Sequence, residues 1–266
     1  MCGRYASSRS PEDLAEEFEV DRVDVRERLE PDWNVAPTKP VPAVFERRDR
    51  ATGAVARRLA VVRWGLVPSW AKDVRIGSRL INARVETVHE KPAFRRAFAA
   101  RRCLLPADGY YEWYGEVRGR KQPFFIRPRD GGVLAMAGLY EIWRDPAVPD
   151  DDDPAAFVWS STVLTTTAED ALGHLHDRMP MTVERDHWAQ WLDPAAGANP
   201  DALRGLLVPA APGRLEAFPV ATLVNDVRVN GPELVEPLPA EPEGDARPDS
   251  GSDAVPGSGS AKDLLF

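Results

Sequence analysis

Short runs rich in apolar, β-branched and aromatic residues, bounded by turn residues, recur along the chain and read as strands. Such runs cover 41–46, 59–64, 102–106, 110–114, 124–127, 133–140, 157–165 and 215–220. Helical spacing is scarcer. Ser10-Pro11-Glu12-Asp13 supplies an N-cap residue, a proline at the first helical position and acids in the first turn, predicting a short helix over 11–19. Further short helices are expected over 92–100, 168–175, 184–192 and 201–207. Most strands follow one another through short turns with no helix between them. The pattern therefore predicts a largely antiparallel α+β fold, not a parallel doubly wound sheet.

Apolar patterning ends near Leu238. No Gly/Ser/Pro linker divides what precedes it, so 1–238 is read as one folded unit. From Glu241 to Ser260 the chain has no aromatic residue and too little apolar surface to offset chain entropy, so 239–266 is read as a disordered acidic tail. No apolar run approaches the roughly 20 residues of a membrane span, and no apolar segment follows the first residues as a secretory signal needs. Two cysteines a hundred positions apart make neither a disulfide framework nor a metal site, and a reducing, cytoplasmic setting is expected.

The net charge of −8 changes meaning once it is divided. The tail holds six acids and two bases, and the loop-like run Asp150–Asp153 holds four more acids, so the remainder is neutral overall. Within that remainder, 75–102 carry eight basic residues against two acidic ones. A local basic surface is expected, of the kind that meets phosphates.

Cys2 is the first candidate for chemistry. Removal of Met1 would leave a cysteine with both a thiol and a free α-amine, with ordinary pKa values of about 8.5 and about 7.7–8.0. Such an N-terminal nucleophile can use its own amine as base, and a 1,2-aminothiol condenses with an aldehyde to a thiazolidine ring. Taken alone, other candidates have bland readings. Glu112, within Tyr110-Tyr111-Glu112-Trp113, reads as a surface acid on an alternating strand. His176 reads as a helix C-terminal cap and Asn82 as a turn residue. Trp64, Trp70, Trp113 and Trp143 read as core, and Cys103 as a buried structural thiol. His89, His174 and His187 have no metal spacing with a cysteine.

Ordered blocks alter that. Cys2-Gly3-Arg4-Tyr5 is followed by Trp33-Asn34-Val35-Ala36-Pro37-Thr38, Arg63-Trp64-Gly65-Leu66-Val67-Pro68-Ser69-Trp70 and Ile81-Asn82-Ala83-Arg84-Val85-Glu86-Thr87. Ala107-Asp108-Gly109-Tyr110-Tyr111-Glu112-Trp113 and His176-Asp177-Arg178-Met179-Pro180 complete the series. Over roughly 2–238 the chain resembles the SOS response-associated peptidase (SRAP) family, whose members cross-link to abasic sites in single-stranded DNA. The resemblance implies a single domain with a curved, mostly antiparallel sheet or barrel and flanking helices. It implies that Cys2 is the nucleophile that closes the thiazolidine, and that Asn82 holds the Cys2 amine and sugar oxygens. Glu112 would do acid/base work on the opening sugar, and His176 would stand beside the cross-link. Arg4, Arg84 and Arg178 fall where the family meets phosphates, and Pro37, Trp64 and Thr165 in segments lining its DNA channel. No metal or nucleotide cofactor is implied, and lyase or peptidase activity is within the family's range.

Elementary chemistry agrees with those roles. An abasic sugar is mostly a closed hemiacetal, so a proton must move before its aldehyde appears. The aromatic neighbours of Glu112 are expected to desolvate it and raise its pKa. Arg84 lies two residues beyond Asn82, so in a strand the two share a face. The alternatives are a cysteine peptidase using Cys2, with removal of Met1 as its minimal form, and a non-enzymatic DNA-binding module. The acidic loop Asp150–Asp153 is expected away from DNA. The terminal Leu264-Leu265-Phe266 is similar to peptides that dock on the bacterial sliding clamp, which makes the clamp a candidate partner and the nucleoid the expected location.

Overall fold

The computed structural model describes residues 2–25, 29–49, 51–117, 119–168, 170–209 and 211–239. Its strands are β1 (Tyr5–Ser7), β2 (Arg22–Val23), β3 (Asp32–Val35), β4 (Pro40–Arg48), β5 (Val55–Trp64), β6 (Asn82–Arg84) and β7 (Arg102–Ala107). They continue with β8 (Gly109–Val117), β9 (Arg120–Pro128), β10 (Leu134–Arg144), β11 (Phe157–Thr167), β12 (Arg178–Pro180) and β13 (Leu215–Pro219). Short helices α1 (Pro11–Glu17), α2 (Arg95–Ala100), α3 (Asp170–Gly173), α4 (Trp188–Leu192) and α5 (Pro200–Gly205) lie between them.

Five strands close on themselves in the order β11-β10-β7-β4-β5. The neighbours are antiparallel except at the closure, where Arg63 and Trp64 of β5 run parallel to Ser160 and Ser161 of β11. Where β5 ends, β6 takes its place beside β11, also in parallel, with Asn82 opposite Val163 and Arg84 opposite Thr165. A second, antiparallel sheet runs β13-β9-β8-β1-β3. Tyr5, Val35, Tyr110 and Ile126 from this sheet share an apolar cluster with Val41, Val62, Cys103 and Met136 of the barrel. Phe18, Phe98, Trp191 and Leu203, from the α1 C-cap and from α2, α4 and α5, pack with Leu104 and Leu139 in another cluster. The α+β architecture with a barrel core and flanking helices is the one expected.

Between β5 and β6 the backbone makes a close crossing. Gly65 adopts φ +122° and a Cβ there would lie 2.6 Å from Gly77 O, while one on Gly77 would lie 2.4 Å from Gly65 O. Only a glycine pair allows that approach, which delivers Asn82 to the barrel edge. The α1 cap is as read: Ser10 Oγ accepts from Asp13 N at 3.1 Å. The expected helix over 184–192 instead divides into a 3-10 turn, Arg185–His187, and α4. The acidic run Asp150–Asp153 is an exposed loop after β10, with Arg144 paired to Asp151. No helix among the described residues is long and apolar enough to cross a membrane. The proposed tail, apart from Pro239, and its Leu264-Leu265-Phe266 end lie outside the described residues.

Candidate active site

The register of β1 against β8 places the N-terminal segment. Tyr5 faces Tyr110, and Tyr111 N donates to Arg4 O at 3.0 Å, so the residues before β1 run beside Tyr111 and Glu112. Cys2 is fully buried there, its Sγ pointing at Arg4 O 4.0 Å away. Asn82 Nδ2 donates to Cys2 O at 2.7 Å and ties the segment to β6. The other end of that amide, Oδ1, is buried with no hydrogen-bond partner among the described residues. Burial pushes the Cys2 thiol well above its ordinary pKa, with the nearby Glu112 adding to the rise and the amino terminus opposing it.

Alternation along β8 sorts its side chains onto two faces. Tyr110 belongs to the cluster shared with Cys2 and Tyr5, whereas Tyr111 and Trp113 pack on the other side with Trp33 and Phe125. Glu112 therefore shares the Tyr110 face. It is 4% exposed, so it is not the surface acid that its alternating neighbours suggest. Its pKa is pushed up to about 7, first by burial and also by Asp177, against the pull of the amino terminus and Lys121. The rise is as expected, but its source differs: the sequence-adjacent Tyr111 and Trp113 point away from the carboxyl.

His176 is not the cap of a helix. It follows α3, and its Nδ1 accepts from Arg178 N at 2.9 Å, which leaves the proton of the neutral ring on Nε2. Asp177 Oδ1 stands 2.8 Å from the same nitrogen. Partial burial lowers the imidazole pKa, helped by the amino terminus and Lys121 and opposed by Asp177. Glu112 and His176 thus feel the same three groups, which gathers carboxyl, imidazole, thiol and amide around the start of the chain.

The expected DNA contacts divide into two sets. Asn82 and Arg84 share a face of β6, as read, with Ala83 buried between them. Arg84 is exposed opposite buried Thr165, whereas Arg178, 12% exposed, is held by Thr165 O and by the Glu86 carboxylate. Arg4, Pro37 and Trp64 are engaged within the protein. Arg4 Nη1 donates to Asn34 Oδ1 at 2.6 Å and Val224 O at 2.8 Å, and its guanidinium lies 5.8 Å from the Trp113 ring centre. Burial lowers the Arg4 pKa. Trp64 is fully buried edge-on against Tyr5, its Nε1 donating to Ile81 O at 2.9 Å, and presents no open face. Pro37 is half-buried in the turn whose next residue, Thr38, is held at φ +78°.

Two features escape sequence reasoning. Trp70, read as core, is 56% exposed. Asn34 is fully buried and hydrogen-bonds Arg4 together with the carbonyls of Val224, Asp226 and Val229. Its only sequence signal is its place in the Trp33–Thr38 block. Among the described residues no three His, Cys, Asp or Glu side chains group to hold a metal ion.

A thiol, a buried carboxyl with a pKa of about 7 and an imidazole thus gather near the start of the chain, with Asn82 and Arg84 on the neighbouring β6. A model of the SOS response associated peptidase (SRAP) family matches residues 1–227, and the chain belongs to that family. It is 36% identical over 237 residues to abasic site processing protein YoaM of Bacillus subtilis, covering 89% of this chain and 98% of that one. It is 28% identical over 270 residues to abasic site processing protein HMCES of Xenopus tropicalis, covering 88% and 78%. The fold is similar to that of a protein from Bacteroides thetaiotaomicron, with a TM-score of 0.73, 23% identity, and coverage of 89% and 100%.

Proposed function

We propose that this protein captures abasic sites in single-stranded DNA as a thiazolidine on Cys2, shielding the lesion during repair. The observation that carries the reading is the meeting of Cys2, pinned through Asn82, with a buried carboxyl whose pKa is about 7. Names borne by the relatives, abasic site processing protein, agree with it.

The chemistry follows in order. Protonated Glu112 gives a proton to the ring oxygen of the closed sugar as the anomeric hydroxyl loses one, and the C1′ aldehyde appears. With Met1 removed, the Cys2 amine adds to C1′, and loss of water from the carbinolamine leaves an imine. The Cys2 sulfur then adds to the imine carbon while its proton passes to nitrogen, closing the ring. Aldehyde and aminothiol become thiazolidine and one water. A thiol kept protonated by burial suits this order, in which the amine attacks first. The open Oδ1 of Asn82 can accept from the amine or a sugar hydroxyl. His176, whose Nδ1 accepts from Arg178 N, can shuttle the proton that leaves with water. Arg84 and Arg178 would hold flanking phosphates, and the exposed indole of Trp70 would stack an unpaired base.

The peptidase reading is weaker on electrostatic grounds. A cysteine peptidase needs a thiolate paired with imidazolium. Here burial raises the thiol pKa and lowers that of the imidazole, both away from such a pair. The reading places the protein at the nucleoid in the cytoplasm; docking on the sliding clamp through Leu264-Leu265-Phe266 would bring it to the same DNA.

The test is a denaturing gel of the untagged protein with single-stranded DNA carrying one abasic site. A band should survive denaturant, require the abasic site, and vanish in Cys2→Ala. Absence of that band from protein whose mass shows Cys2 exposed removes the capture reading.

A further inference from the structure

Arg178 does not present an open fork. Its Nη1 and Nη2 donate to Glu86 Oε1 and Oε2 at 2.7 and 3.0 Å, and Nη2 also donates to Thr165 O at 2.5 Å and Thr165 Oγ1 at 3.4 Å. The Arg178 side chain is 12% exposed and that of Glu86 47%. The hydrogen bond from Arg178 lowers the Glu86 pKa, so the carboxylate is charged in its resting place. Two carboxylate oxygens meet a guanidinium in the geometry that two phosphodiester oxygens use. We propose that Glu86 stands in for a DNA phosphate: it occupies the Arg178 fork in the free protein and swings out when a strand is held there. The inference rests on the proposed function, in which Arg178 meets the strand.

Glu86 is the partner free to leave. It lies in the turn after β6, nearly half exposed, whereas Arg178 sits in β12 and is fastened to Thr165. A carboxylate released into water loses little hydration, and a strand has what Glu86 lacks: further phosphates on the same backbone. Arg84, exposed and in register with Thr165, is placed for the next one. The ion pair therefore weakens binding of any strand by the free energy of breaking it. An intact strand, held by phosphates and stacking alone, bears that loss in full. A strand with an abasic site makes it good through a covalent bond. Glu86 would thus set selectivity for the lesion over undamaged DNA without touching the sugar.

The experiment is fluorescence anisotropy of the full chain with labelled single-stranded DNA that lacks abasic sites, so no covalent step intervenes. Glu86→Gln should bind about three- to fivefold tighter at low salt, the worth of a partly exposed ion pair. Its log K against log salt should steepen by up to ~0.7, the value of one single-strand phosphate contact. Glu86→Asp, which keeps the charge, should stay near wild type. Glu90→Gln removes the same charge from the same turn, on a side chain paired with His89 instead of Arg178, and should tighten binding less than Glu86→Gln does. Equal gains in Glu86→Gln and Glu90→Gln, or weaker binding by a folded Glu86→Gln, would overturn the proposal. A wild-type chain that neither binds the strand nor captures an abasic site overturns the proposed function, and this inference with it.

Discussion

A carboxyl at 4% exposure whose pKa sits near 7 is held at a cost to the fold. The folded pKa of Glu112 lies above its ordinary 4.5, so stability falls as pH rises from about 4.5 to 7 and stays lower above that window. Glu112→Gln should therefore melt higher than wild type at pH 8, by roughly 1–3 kcal/mol, and the difference should vanish near pH 4, checked by thermal denaturation at both. Capture should be slower in the same variant. The ratio of wild-type to Glu112→Gln rates should fall as pH rises through about 7, because only the carboxyl can lose its acid form. The chemical candidates were readable because residue types in ordered blocks carry them. Their surroundings were not. A Tyr-Tyr-Glu-Trp strand implies one wet face, but here both faces of β8 are covered, one by the barrel and one by the Trp33 and Phe125 cluster.

Long strands declared themselves as apolar, β-branched and aromatic runs, and β4, β5, β7 to β11 and β13 lie where those runs predict them. The elements that carry much of the site do not. β1, β3, β6 and β12 are three or four residues long, too short to stand out as strand-like runs, and they exist because distant partners hold them. Asn34 of β3 does much of that holding, bridging Arg4 beside β1 to the segment from Val224 to Val229. Trp113 Nε1 fastens the same segment by donating to Asn225 Oδ1 at 2.6 Å. Asn34→Ala strands several buried polar groups at once and should cost about 2–4 kcal/mol in a denaturant titration. Capture should slow in proportion as the Cys2 segment loosens, measured by single-turnover cross-linking.

At the scale of the whole molecule, the two tryptophans of one block play opposite parts. Trp64 closes the barrel from within and Trp70 stands outside it. Trp64→Ala should lose about 3–5 kcal/mol of stability. Trp70→Ala should change stability by less than ~0.5 kcal/mol, yet weaken binding to intact single strands by about 1–3 kcal/mol. Melting and anisotropy on the same two variants separate these outcomes. The default reading of both residues is core, the resemblance adding a channel-lining place for Trp64 alone, since burial is decided by where a strand ends and a turn begins. The order in which the site's parts occur along the chain has a further consequence, in time. Cys2 leaves the ribosome first, Glu112 more than a hundred residues later and His176 later still. At about 5–20 residues per second, the segment around Cys2 waits roughly 10–35 s before all its neighbours have been made. Until then the thiol lacks the packing that buries it fully in the fold. Folding is thus also the step that buries the Cys2 thiol, and on the proposed function a chain delayed in synthesis would leave that group uncovered for longer.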